Sequence, residues 1–205
     1  MNGMATEWSE APYDWKSDCQ LRLSLASPGD TARGLFFNGL LDTARTFGGE
    51  PLVRRCLEAC GQEQFLDFFS YPVRMQLQII AEAMETLVKR YASTERALKE
   101  VGRRASSDFL ESMAGRAALN LGAGNPRRLL SSLPSIYRVS MSYGEYFLSW
   151  TGPNSGRFLF RRDFMPHHVH QGVVTAILDQ AGAREVRVWG RQTGPLEGLC
   201  EFSWS

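Results

Sequence analysis

Apolar residues recur at two different spacings along this chain, and the change of period divides it. In the first half they fall three or four apart, the repeat of a half-buried helix. The clearest run is Val73, Leu77, Ile80, Met84, Leu87 and Tyr91. An earlier helix is predicted from about Asp30 or Thr31 to Phe47, with Phe36, Leu40, Ala44 and Phe47 on one face and Gly48-Gly49 ending it. Pro51 starts the next, which carries Leu52, Val53, Cys56, Leu57 and Cys60 to Gly61. A short segment from Phe65 to Phe69 precedes Tyr71-Pro72. Thr94 is placed to cap a helix buried through Leu98, Val101, Ala105 and Phe109; Gly115 to Leu121 continues it or begins another. After the break at Gly122–Gly124, Asn125 and Pro126 open a short helix through Leu129 and Leu130. One stretch departs from this pattern: Leu21, Leu23 and Leu25 alternate, which predicts a strand over Gln20–Leu25.

Beyond about residue 134 the period shortens to two. Ile136–Ser142 alternates and reads as a strand. Glu145–Thr151 and Gly156–Arg162 read as a hairpin around Gly152-Pro153-Asn154-Ser155-Gly156, since Gly and Asn tolerate positive φ and Pro pre-sets its own. A helix follows from Pro166, with Val169, Val173, Ile177 and Ala181 four apart and Gly182 as its left-handed cap. Glu185–Gly190 and Leu199–Trp204 complete a second strand pair around Thr193-Gly194-Pro195. The expected fold is α+β: an N-terminal helical layer on a C-terminal four- to five-stranded antiparallel sheet with one crossing helix. Residues 1–18 read as a weakly ordered arm bearing Trp8, Tyr13 and Trp15. Residues 19–205 read as a single domain, mainly helical over 19–134 and ββαββ over 135–205.

Composition narrows the function classes. A net charge of +1, with arginines scattered or only paired, argues against nucleic acid as a partner. No apolar run reaches a membrane span, and the acidic N-terminus does not resemble a signal peptide. Four cysteines without secretory features point to a reducing, cytoplasmic setting.

Two segments carry a resemblance. Gly34-Leu35-Phe36-Phe37-Asn38-Gly39-Leu40-Leu41 followed by Gly48-Gly49 resembles the opening helix of the heme-NO-binding domain. The hairpin–helix–hairpin order resembles that domain too, and equally the four-vinyl-reductase-type ligand domain and the Bet3-type trafficking subunits. Longer phrases, Arg55–Gly61, Asp67–Pro72, Trp150–Pro153 and Phe160–Phe164, resemble an uncharacterised myxobacterial paralogous family of about this length. What the heme-binding relatives imply is mismatched here. An iron-ligating His is expected just before the sheet, where Ser131–Tyr137 has none. The Tyr, Ser and Arg that clamp heme propionates correspond to Phe158, Phe160 and Arg162, and phenyl rings donate no hydrogen bond. The resemblance therefore implies the framework without the heme.

Candidate chemistry is sparse. His167, His168 and His170 cluster at a predicted helix start, with His167 and His170 on one face. Zinc there needs further ligands, such as Asp163 or a distant Cys, so a solvated helix terminus is the preferred reading. Cys56 and Cys60 lack a second pair and read as small core residues. Gly122–Arg128 could cradle an anion at a helix N-terminus, but a plain cap with solvated arginines is favoured. No nucleophile elbow is present. The expectation is a non-enzymatic sensory or signalling module that binds a small apolar ligand or serves as a protein-interaction scaffold. Tyr137, Phe158, Phe160, Phe36 and Phe109 are the candidate wall of its cavity, with Arg162 near the mouth. The alternatives are a metal-dependent enzyme using the histidine cluster and a self-associating subunit.

Overall fold

The computed structural model describes residues 13–111, 116 and 124–205, with the backbone alone at Asp108 and Glu111. In chain order the elements are α1 (Trp15–Leu25), β1 (Thr31–Arg33), α2 (Gly34–Cys60), β2 (Ser70–Pro72), α3 (Val73–Tyr91), α4 (Thr94–Glu111), α5 (Pro126–Ser140), β3 (Glu145–Gly152), β4 (Ser155–Arg161), α6 (His167–Gln180), β5 (Arg187–Gly194) and β6 (Glu197–Ser203). Strands β3–β6 form one antiparallel sheet in the order β3-β4-β6-β5, while β1 and β2 pair as a short ribbon.

Helices α1–α4 build the N-terminal layer. Its core gathers Phe37, Leu52, Leu77, Ile80, Leu87 and Leu98, all buried. The four-and-three spacing in α3 works as read: Val73, Leu77, Ile80, Met84 and Leu87 are all buried. The two helices expected on either side of Gly48-Gly49 are both present within α2: they meet at Gly49, whose φ of 65° and ψ of −171° lie outside the helical region, just before Pro51. Ser93, not Thr94, caps α4: its hydroxyl accepts from the Arg96 N–H. The second core lies on the inner face of the sheet. Tyr146, Phe158, Phe160, Cys200 and Phe202 meet Val174, Ile177 and Leu178 of α6. Gly182 takes the left-handed conformation just past the end of α6.

Two strand expectations are overturned. Gln20–Leu25 belongs to α1, where Trp15, Cys19 and Arg22 fall four and three apart and are buried while Leu21 and Leu25 stay exposed. Asp14 caps that helix by accepting from the Ser17 N–H, so the last part of the expected arm is helical. Residues 1–12 of the arm lie outside the described residues. Ile136–Ser140 is the last turn of α5: Leu129, Leu133 and Tyr137, four apart, are its buried stripe. Its alternation was accidental, and the sheet therefore has four strands. Gly115 and Ala117–Ala123, where a helix continuation and then a break were expected, lie outside the described residues.

The layers meet at a close crossing of α4 over α6. A Cβ on Gly102 would stand 1.9 Å from the Val169 carbonyl oxygen, and one on Gly172 would stand 1.9 Å from that of Lys99. Only glycine lets the two backbones approach this far. Arg162 adds a bidentate pair to Asp30, at 2.7 and 3.1 Å, which ties the end of β4 to the turn before β1.

Candidate functional site

Between the layers, below the α4–α6 crossing, lies an apolar cavity of about 80 Å³. Phe36 and Leu40 of α2, and Val101, Ala105 and Phe109 of α4, wall it on one side. Leu133, Ile136 and Tyr137 of α5 face them, with Val169, Val173 and Ile177 of α6. Helical spacing explains each group: on α4 the wall residues are four apart, and on α6 four apart again.

The candidate residues divide. Phe36, Phe109 and Tyr137 line the cavity, with the first two stacked 6.2 Å apart. Phe158 and Phe160 do not reach it. They stand one shell behind, Phe160 against His170 at 4.1 Å and Phe158 against Tyr137 at 5.9 Å. Arg162 is turned away into its pair with Asp30. This corrects the expected wall: strand residues on the inner face of the sheet are covered by α5 and α6, so those helices, not β4, present side chains to the space.

The histidines are not a solvated terminus. His170 is 1% exposed and His167 9%, because Tyr13 lies edge-on over His168 at 4.9 Å while α4 crosses at Val169. His170 sits in a buried polar chain. Its Nδ1 is 3.2 Å from the Tyr137 hydroxyl. Its Nε2 is 3.3 Å from Asp163 Oδ2, near enough for an ion pair but off the line of a hydrogen bond. Asp163 is itself fully enclosed. It accepts from the Tyr146 hydroxyl and the Met165 N–H, each at 2.6 Å. Burial pushes its carboxyl up, but the facing His170 and these hydrogen bonds outweigh it and hold Asp163 below the usual carboxylate range. Burial, then the neighbouring His168 and His170, depress His167 to about 3. Among the described residues no three His, Cys, Asp or Glu side chains converge as metal ligands. Cys56 and Cys60 are buried, free, and raised to about 11 and about 12 by burial. Arg127 donates to the Gly152 and Pro153 carbonyls and lies 4.0 Å over Trp150, so it is committed to the hairpin; Asn125 caps α5.

One wall residue escaped the sequence reading. Gln76 of α3 is 3% exposed, and its Oε1 has no hydrogen-bond partner. The signal was there: Val73, Gln76, Leu77 and Ile80 share one helical face, and a lone amide on an apolar stripe is an exception that calls for a reason.

The residues present do not match what a heme needs. The one imidazole at the cavity, His170, has both nitrogens turned to Tyr137 and Asp163. Phe158 and Phe160, which the resemblance matches to propionate-binding positions, are buried phenyl rings, and Arg162 is already paired with Asp30.

Solved structures similar to this chain share its fold. The H-NOX protein of K. algicida, Fe(II) unliganded, superposes with a TM-score of 0.66 at 14% identity over 84% of this chain and 96% of its own. That of S. oneidensis in the Fe(II)NO state gives 0.66 at 10% identity over 84% and 99%. A mutant of the T. tengcongensis H-NOX gives 0.65 at 14% over 84% and 97%. At such identities the likeness is one of fold, and the fold is that of the H-NOX proteins. No curated protein sequence matches the chain. Residues 25–205 match the family model described as "Protein of unknown function (DUF2378)", and the chain therefore belongs to that family.

Proposed function

We propose that this chain is a non-enzymatic sensory or regulatory module that takes a small apolar ligand into the interlayer cavity and does so without heme. The observation that carries the reading is the cavity wall. Phe36, Val101, Phe109, Leu133, Val173 and Ile177 come from both layers, so an occupant touches the helical layer and the sheet-backed helices together. A ligand with different contacts in two arrangements of those layers can bias one over the other, which is what a sensor requires. The H-NOX fold supports a sensory role by likeness, and the mismatched donor set supports the absence of heme.

Native mass spectrometry of the freshly purified chain, with xenon uptake as an independent probe of the void, tests this. The wild type is expected to carry a small apolar mass or to take up xenon. Ala105→Leu, which fills the cavity from α4, is expected to exclude both. A wild type that holds neither, or a filled variant that still binds, sinks the reading. Added hemin that reconstitutes one-to-one with a porphyrin absorption band sinks the heme-free part alone.

A further inference from the structure

The geometry points to an occupant that is neutral and carries one hydrogen-bond donor, read by the Gln76 side chain. This inference rests on the proposed ligand cavity and adds the chemical class of its ligand. Three observations converge on it. First, Gln76 lines the cavity, is 3% exposed, and leaves Oε1 buried without a partner. A buried amide oxygen normally finds a donor, and an orphan in a largely apolar wall is an acceptor that an O–H or N–H can satisfy. Second, of the other polar groups of the wall three are already engaged, and among the described residues only the Ser106 hydroxyl stands beside Gln76 to help hold a polar head. Ser132 donates to the Leu129 carbonyl, and Tyr137 is joined to His170. Third, among the described residues no Lys, Arg, Asp or Glu lines the space. A carboxylate or ammonium head would lie there unpaired, so charged amphiphiles are disfavoured and a neutral alcohol or amide N–H is left. The small volume adds that the head is carried on a short or slender hydrocarbon.

Three probes of one shape separate the possibilities: 2-propanol donates and accepts, acetone only accepts, and isobutane does neither. Titration of the full chain, followed through the methyl resonances of Ile136, Val173 and Ile177, gives their relative affinities. The wild type is expected to bind 2-propanol about tenfold tighter than acetone, the worth of one hydrogen bond to a buried group. In Gln76→Met, which keeps the length and removes the acceptor, the two are expected to bind within about twofold of each other, with isobutane unaffected. Acetone binding as tightly as 2-propanol in the wild type overturns the inference, as does a preference that survives in Gln76→Met; both leave the cavity reading standing if isobutane binds. Failure of all three probes to bind the wild type removes the cavity reading and this inference with it. Should Gln76→Met not fold, the wild-type order of 2-propanol over acetone decides alone.

Discussion

Asp163 shows how much one carboxylate can organise when it is enclosed with its partners. Tyr146 and Met165 donate to it at 2.6 Å, His170 faces it at 3.3 Å, and its backbone carbonyl accepts from the buried Arg22 guanidinium at 3.1 Å. The segment leaving β4, the start of α6, β3 and α1 are thus held at one residue. Removing one member of such a set strands the others away from water, so the cost is the desolvation of what remains and not only the lost bonds. Asp163→Ala is expected to lose about 3 kcal/mol in urea unfolding, and Asp163→Asn about half of that, since the amide oxygen still accepts from Tyr146. A loss under about 1 kcal/mol for the alanine variant would mean that the carboxylate is incidental to the fold. The sequence pointed at Asp163 only as a further metal ligand beside the histidines. Spacing cannot show that Tyr146, in a strand, and Met165, in a turn, both converge on it.

At the scale of elements, legibility followed burial on one side. Helix α3, half-buried and regular, was readable apart from its buried Gln76 and its half-buried Tyr91, and so was the hairpin β3–β4 around Pro153-Asn154. Where polar residues interrupt a stripe, period two and period three-and-a-half become hard to tell apart. Leu21, Leu23 and Leu25 alternate, yet the buried side of α1 is Trp15, Cys19 and Arg22, and Arg22 is buried because it is paired with Asp18. In α5 the alternation of Ile136–Ser142 and an internal Pro134 both argued against the helix that Leu129, Leu133 and Tyr137 pack into place. Phe158 and Phe160 of β4 enter the expected wall through the likeness to heme-binding relatives, and the helical α5 with α6 is what covers them; Phe36, Phe109 and Tyr137 of the same expectation do line the cavity. The glycines of the α4–α6 crossing were equally silent, since nothing in a helical stripe announces backbone contact. Their role is testable. Gly102→Ala and Gly172→Ala each gain helix propensity of about 1 kcal/mol but drive a methyl into a carbonyl 1.9 Å away. Each is expected to lose about 2 kcal/mol or more in thermal or urea unfolding. A neutral or stabilising result would show that the layers can part without cost at the roof of the cavity.

For the molecule as a whole, the same burial that builds the cavity predicts an acid response in two stages. His167 has an ordinary value of 6.5 and a folded value lowered to about 3 by burial and its positive neighbours. Below pH 6.5 the unfolded chain therefore takes up a proton that the folded chain refuses, and stability falls with pH from that point toward about 3. Asp30 and Asp163 behave differently. Both are held below their ordinary 3.8, Asp30 because the Ser27 hydrogen bonds and the Arg162 pair outweigh its burial. Their contribution is fully present above 3.8 and is lost only as pH falls through their lower folded values. Urea midpoints should decline gently from about pH 7 to about pH 4.5, then more steeply, as the Asp30 carboxylate that ties the turn before β1 to the end of β4 and the Asp163 carboxylate that joins β3 to α6 are protonated. His167→Gln should flatten the first stage and leave the second. An unchanged decline over that first stage in the variant would mean that His167 is not the group the fold keeps uncharged. The gentle stage would then belong to other groups, and the covering of the start of α6 by Tyr13 would carry less of the acid sensitivity than its geometry suggests.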